Sequence, residues 1–142
     1  MANNLFTPGR EGLLDQTISL PNGVIKVALT RSYTFNAAHK FVSDVTGAGA
    51  TLAATSTALA SKTMTGGAFN AASVTFSSVA ANGSSHGLLI FQSSANTGGA
   101  DVASSAQRLI AWLDTGTNLP ITTNGGDIVV TWDTGANKVF HI

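Results

Sequence analysis

Turn-forming clusters recur along this chain at intervals of roughly 8–12 residues, and short apolar or alternating runs fill the gaps between them. Pro21-Asn22-Gly23, Ala81-Asn82-Gly83-Ser84-Ser85 and Asp133-Thr134-Gly135-Ala136 are clear breaks. Asparagine, aspartate and glycine reverse a chain readily, the first two through local side-chain hydrogen bonds and glycine through positive φ. Punctuation this frequent leaves little room for long helices. No strand–helix–strand alternation appears, so a parallel sheet is not expected. The pattern predicts an all-β fold, an antiparallel β-sandwich of jelly-roll type.

The strands can be placed one by one. Val24–Thr30 is rich in β-branched residues and follows Asn22-Gly23, which predicts a hairpin between Ile18/Leu20 and Val24/Ile25. Thr51–Thr57 and Leu59–Thr65 are weaker candidates with poorly specified register. Ser73–Val79 alternates apolar and polar residues, as a half-buried strand should. His86–Gln92 and Gln107–Asp114 are continuous apolar runs, which predicts strands covered on both faces. Ser93–Ala106 reads as a loop. Ile121–Thr123, Asp127–Trp132 and Asn137–Ile142 complete the set. One core is expected to hold Val74, Phe76, Leu88, Ile90, Leu109, Trp112, Val129 and Trp132.

The first fifteen residues stand apart. Thr7 can precede a short helix with Pro8 at its first position, while Gly9 and Gly12 keep that helix marginal. Residues 1–15 are therefore expected to form an N-terminal helical or extended arm, and residues 16–142 a single sandwich domain. Leu5, Phe6, Leu13 and Leu14 lie on this segment and need a docking surface. They are the candidate residues for contact with a capsid or a second subunit. The segment carries Asn3, Asn4, Arg10, Glu11 and Asp15 and lacks a long apolar stretch, so it is not read as a signal peptide.

Charge narrows the function classes. Only 10% of residues are charged, against about 25% in an average domain, and seven basic residues balance seven acidic ones. Such a surface lacks the basic footprint of nucleic-acid or anionic-membrane binding. It is poorly defended against association, which fits a surface covered by partners. The chain holds no cysteine, so disulfides and thiolate metal sites are excluded. No apolar run approaches the roughly 20 residues of a membrane helix.

Asp-Thr-Gly occurs twice, at Asp114-Thr115-Gly116 and Asp133-Thr134-Gly135. Aspartic proteases use this tripeptide, since two apposed carboxylates share a proton and activate water. Here the copies are too close together to head separate lobes, and turns are the better reading. His39, His86 and His141 lack metal-motif spacing. Asp44 and Asp101 lie in expected loops, but calcium wants six to eight oxygens. Trp112 and Trp132 can stack on a sugar, yet both sit inside apolar runs and read as core. No catalytic, cofactor-binding or metal-ligating residue is assigned, and the chain is expected not to be an enzyme.

Several stretches carry a resemblance. They are the opening Met-Ala-Asn-Asn-Leu-Phe-Thr-Pro-Gly-Arg-Glu-Gly-Leu-Leu-Asp, then Ile25-Lys26-Val27, Tyr33-Thr34-Phe35-Asn36 and Lys62-Thr63-Met64-Thr65-Gly66-Gly67. Leu109–Thr115, Leu119–Ile128, Trp132-Asp133 and Gly135–Lys138 complete them. Together they resemble a family of small virion structural proteins of tailed bacteriophages. Residues 47–61 and 93–106 depart from the family pattern. The resemblance implies a capsid decoration (cement) protein that binds the major capsid protein. It implies a homo-oligomer, with a trimer favoured, on the capsid surface of a virion made in the host cytoplasm. A tail or baseplate component, and a carbohydrate- or receptor-binding module, are the alternatives.

Overall fold

The computed structural model describes residues 4–81, 83–114, 121–132 and 139–141. Among them the chain runs β1 (Asn4–Leu5), α1 (Thr7–Asp15), β2 (Ile25–Arg31), α2 (Val42–Gly47) and β3 (Thr51–Thr55). It continues through β4 (Thr63–Thr65), β5 (Ala68–Asn70), β6 (Val74–Phe76), β7 (Gly83–Gln92), β8 (Ser94–Ala95) and β9 (Gly98–Asp101). β10 (Arg108–Leu113), β11 (Ile121–Thr123), β12 (Ile128–Val130) and β13 (Phe140–His141) close it. The fold is mostly β and its strand pairs are antiparallel.

The principal sheet has the order β1-β10-β7-β2-β3, with β11 also pairing to β7. β7 is its middle strand. Ile25 to Thr30 of β2 face Gln92 to Gly87 on one side, and Arg108 to Leu113 of β10 face Gln92 to Leu88 on the other. Burial on both faces explains why β7 and β10 are continuous apolar runs rather than alternating ones.

Alternation divides the sheet's side chains between two apolar clusters. Ile25, Val27 and Leu29 of β2, with Leu88 and Ile90 of β7, face the first. Ala28, Leu89 and Phe91 face the second. In β10 the register shifts between Leu109, opposite Phe91, and Ala111, opposite Ile90, which makes Ile110 the extra residue of a bulge. The bulge sends Leu109 and Trp112 to the second cluster and Ile110, Ala111 and Leu113 to the first. The expected single core is thus two. Val74, Phe76, Leu88, Ile90 and Trp132 belong to one, Leu109 and Trp112 to the other. Val129 belongs to neither and is 61% exposed, because β12, which pairs with β6 alone among the described residues, turns alternate residues to solvent.

Short paired strands cover the first cluster: β4-β5-β13 and β6-β12, which contribute Phe69, Phe140, Val74, Phe76 and Val130. The second is covered by Phe6, by Val42 and Val45 of α2, by Ala50, and by half-buried Tyr33, Phe35 and Leu52.

Several sequence expectations change. Asn22-Gly23 does not close a hairpin. The Gly23 N–H donates to the Ser19 carbonyl at 2.8 Å, an i to i−4 turn, and residues 16–24 contain no strand. The Gln92 amide and the Ser19 carbonyl stand where a Gly23 Cβ would be. Gln92, the last residue of β7, is 1% exposed and its side chain ties residues 17–19 to the sheet: Oε1 accepts the Ser19 N–H at 2.9 Å, and Nε2 donates to the Thr17 carbonyl at 3.1 Å. Ser93–Ala106 contains the β8–β9 hairpin rather than only loop. Of Leu59–Thr65, only Thr63–Thr65 is strand. α2 has no counterpart among the sequence expectations. No helix among the described residues is long and apolar enough to cross a membrane.

Candidate interaction surface

The N-terminal segment is built into the domain. Asn4 and Leu5 pair with Trp112 and Ala111 of β10. The Phe6 N–H donates to the Ile110 carbonyl at 3.0 Å, the acceptor supplied by the bulge residue. Phe6 is fully buried and its ring centroid lies 5.0 Å from that of Phe35. The ordering cost of a marginal helix is met by contacts along α1. A Cβ at Gly9 would come within 2.7 Å of the Leu109 carbonyl, and one at Gly12 within 2.7 Å of the Ile18 side chain. Both glycines are thus contact points with β10 and the turn after α1. Arg108 Nη2 donates to the Pro8 carbonyl at 3.0 Å and fixes the start of the helix.

That docking orients the four candidate contact residues differently. Phe6 is core. Leu5 and Leu13 are half-buried against the first cluster. Leu14 is 83% exposed on the outer side of α1. Beside it, Leu13 and Leu20 form one wall of an apolar groove of about 250 Å³, and Met64, Gly67, Ala68, Phe69 and Phe140 form the other. The β4–β5 hairpin sets the second wall. Its Gly66-Gly67 turn has φ of 63° and 77°, and positive φ at both central residues is what a two-residue type I′ turn demands. Met64 on this hairpin is 44% exposed. The groove wall was only half legible: Leu13 stood out, while Leu20, Met64, Phe69 and Phe140 come from scattered segments. The Gly66-Gly67 hairpin signal was available.

Charge around the groove is sparse. Arg10, Glu11 and Asp15 lie exposed on α1. Asp15 accepts the Thr17 hydroxyl at 2.6 Å and the Thr17 N–H at 2.9 Å, and these bonds lower its pKa. Lys62 Nζ donates to the Gly23 carbonyl at 2.7 Å, and partial burial lowers its pKa.

The remaining candidates for chemistry have structural partners. Tyr33 Oη and His39 Nδ1 are hydrogen-bonded at 2.9 Å, and the Tyr33 ring meets Trp112 edge-on at a centroid distance of 4.9 Å. Burial raises the Tyr33 pKa. One Asp44 oxygen accepts the Phe41 and Lys40 N–H groups, each at 2.9 Å, which lowers its pKa and anchors the start of α2. Together these contacts fasten residues 33–44 over the second cluster. Asp101 pairs with Lys26 at 2.7 Å. Trp112 and Trp132 are 2% and 9% exposed, and neither offers an open ring to a sugar. Asp114 is half-buried at the end of β10. Thr115, Gly116 and the whole second Asp-Thr-Gly lie outside the described residues, as do the side chains of His86 and His141. Among the described residues no group of three His, Cys, Asp or Glu can hold a metal ion.

Compared with protein-family models, with curated proteins and with solved structures, the chain gives no match in any of the three.

Proposed function

We propose that this chain is a non-enzymatic virion structural protein of a tailed phage: a capsid decoration protein that binds and stabilises the major capsid protein lattice. The observation that carries this reading is the groove beside α1. Exposed Met64 and half-buried Leu13 line an open apolar trough. The helix that supplies Leu13 and carries exposed Leu14 is clamped to the sheet by a strand pair, two contact glycines and an arginine. Rigid apolar relief of this kind suits a repeating protein surface, where pre-organisation limits the entropy lost on binding. The low charge of the chain and the likeness of its motifs to small virion proteins support the same reading.

Within this proposal the fold is a β-sandwich of jelly-roll type whose second layer is broken into the short pairs β4-β5-β13 and β6-β12. The protein acts as a homo-oligomer, a trimer, on the capsid surface. The test is a pull-down with empty capsids, comparing the wild type with Leu14→Ser and Met64→Ser. Burying one such side chain contributes roughly 1.5–3 kcal/mol, so each substitution is expected to weaken capture about tenfold or more while circular dichroism stays unchanged. Unaltered capture by both variants would place the contact elsewhere.

A further inference from the structure

The sequence contains three Asn-Gly steps, Asn22-Gly23, Asn82-Gly83 and Asn124-Gly125. Asn82 lies outside the described residues. Asn-Gly is chemically fragile. The glycine nitrogen loses its proton to water or hydroxide and attacks the asparagine Cγ. A nitrogen–carbon bond forms, the Cγ–Nδ2 bond breaks, and ammonia departs. Water then opens the cyclic imide at either carbonyl and leaves aspartate or isoaspartate. The reaction needs an accessible glycine nitrogen that is free of other bonds, and a chain able to bend toward the side chain.

The two described steps differ in just these respects. At Asn22 the attacking nitrogen is occupied, since the Gly23 N–H donates to the Ser19 carbonyl at 2.8 Å. Gly23 is buried, its carbonyl is held by Lys62 Nζ at 2.7 Å, and the Gln92 amide packs where a Cβ would stand. Asn22 itself is exposed, but Gly98 packs close to its carbonyl, which a Cβ at Gly98 would approach within 2.7 Å. At Asn124 the opposite holds. Asn124 and Gly125 are both exposed, and the Gly125 nitrogen makes no hydrogen bond among the described residues. Asn124 Oδ1 accepts the Gly126 N–H at 3.0 Å, which folds the side chain forward along the backbone and polarises its C=O toward attack. Gly125 has a φ of +87° and a Cβ there would meet nothing, so the space around its α-carbon is open.

We infer that Asn124 is a site of spontaneous deamidation in the folded protein, and that the fold protects Asn22. The modification matters because the residues just after Asn124 tie two elements together. The Gly126 carbonyl accepts the Val79 N–H at 3.0 Å, and Asp127 Oδ1 accepts the Ser78 N–H at 2.7 Å. Both bonds fasten the β11–β12 connection to the stretch just after β6. Isoaspartate adds a methylene to the backbone two residues before the Gly126–Val79 bond. Either product also puts a new negative charge beside Asp127 in a chain of zero formal net charge.

The test is to hold the intact protein at mildly alkaline pH, with a parallel sample unfolded in urea, and to map peptides by mass spectrometry over time. In the folded sample the Asn124 peptide is expected to gain the mass of NH replaced by O, faster as pH rises, while the Asn22 peptide stays unchanged. In urea both peptides are expected to convert. Asn124→Gln should remove the gain at that peptide, because the longer side chain closes a six-membered ring far more slowly. Equal conversion of Asn22 and Asn124 in the folded protein would overturn the inference. So would an Asn124 peptide that converts in urea but stays intact in the folded chain.

Discussion

The two faces of the principal sheet are buried by unlike means. On the first, β4-β5-β13 and β6-β12 lay down more strands, so backbone ladders hold the cover together. On the second, the cover is Phe6, a six-residue helix and the irregular stretch 33–41, and few ladder bonds are available there. Single backbone bonds tie it to the chain entering β10, from the Leu109 N–H to the Lys40 carbonyl at 2.9 Å and from the Val42 N–H to the Gln107 carbonyl at 3.0 Å. Specific side chains add to them. Asp44 accepts two backbone N–H groups, Tyr33 bonds to His39, and the rings pair as Phe6–Phe35 and Tyr33–Trp112. A cover of strands satisfies its backbone through repetition, whereas a cover of loop does so through scattered single bonds and individual side chains.

Substitutions can break or sharpen that contrast. Phe6→Ala on the second face and Phe69→Ala on the first each remove a fully packed ring, and each should cost about 3–5 kcal/mol in urea unfolding. An unmoved midpoint for Phe6→Ala alone would show that the second cover is not coupled to the sheet. Next comes Gly87→Ala, whose methyl would collide with the Trp112 ring. Overpacking there should cost about 1–3 kcal/mol and alter the near-ultraviolet circular dichroism of the tryptophan.

Asp44→Ala removes the acceptor for Phe41 and Lys40 and should cost about 1 kcal/mol at neutral pH. These bonds hold the Asp44 carboxyl below the ordinary aspartate range, the Phe41 bond contributing most. The folded pKa is depressed, so the stabilisation is present above the unfolded pKa and is lost as pH falls through the folded one. Wild type and Asp44→Ala should therefore converge in acid, and a difference that persisted there would deny the carboxylate its role. The smallest effect is expected from Leu14→Ser, whose urea midpoint should stay within about 0.5 kcal/mol of wild type because the residue faces solvent.

The same contrast decides which parts of the fold the sequence reveals. β2, β7 and β10 were legible because their apolar residues are contiguous and the sheet buries them on both faces. The second cover was not. Val42 and Val45 span less than a turn, and the partner of Asp44 is backbone, which leaves no mark in the sequence. Gly9 and Gly12 read as weak points of a helix, and the contacts that make small residues necessary there include β10 residues about a hundred positions away. Nor can an alternating pattern reveal the bulge at Ile110, which decides the face that Leu109 and Trp112 share. Of the groove, Leu13 was legible as an apolar residue without a local partner, whereas the opposite wall depends on the tertiary position of a hairpin.

The central place of β7 has a consequence for biosynthesis. β2 ends at Arg31 and β7 begins at Gly83, so residues 32–82 are translated after one strand and before its neighbour. Chains emerge from the ribosome N-terminus first, and pairing across long separations is slow. Until β7 appears, a nascent chain carries Ile25, Val27 and Leu29 on a strand with one edge open. β1 waits longer still, since its partner β10 begins at Arg108. A ribosome that stalled before Gly83 would thus release a fragment with an exposed apolar strand, a substrate for chaperones and proteases rather than a smaller stable domain.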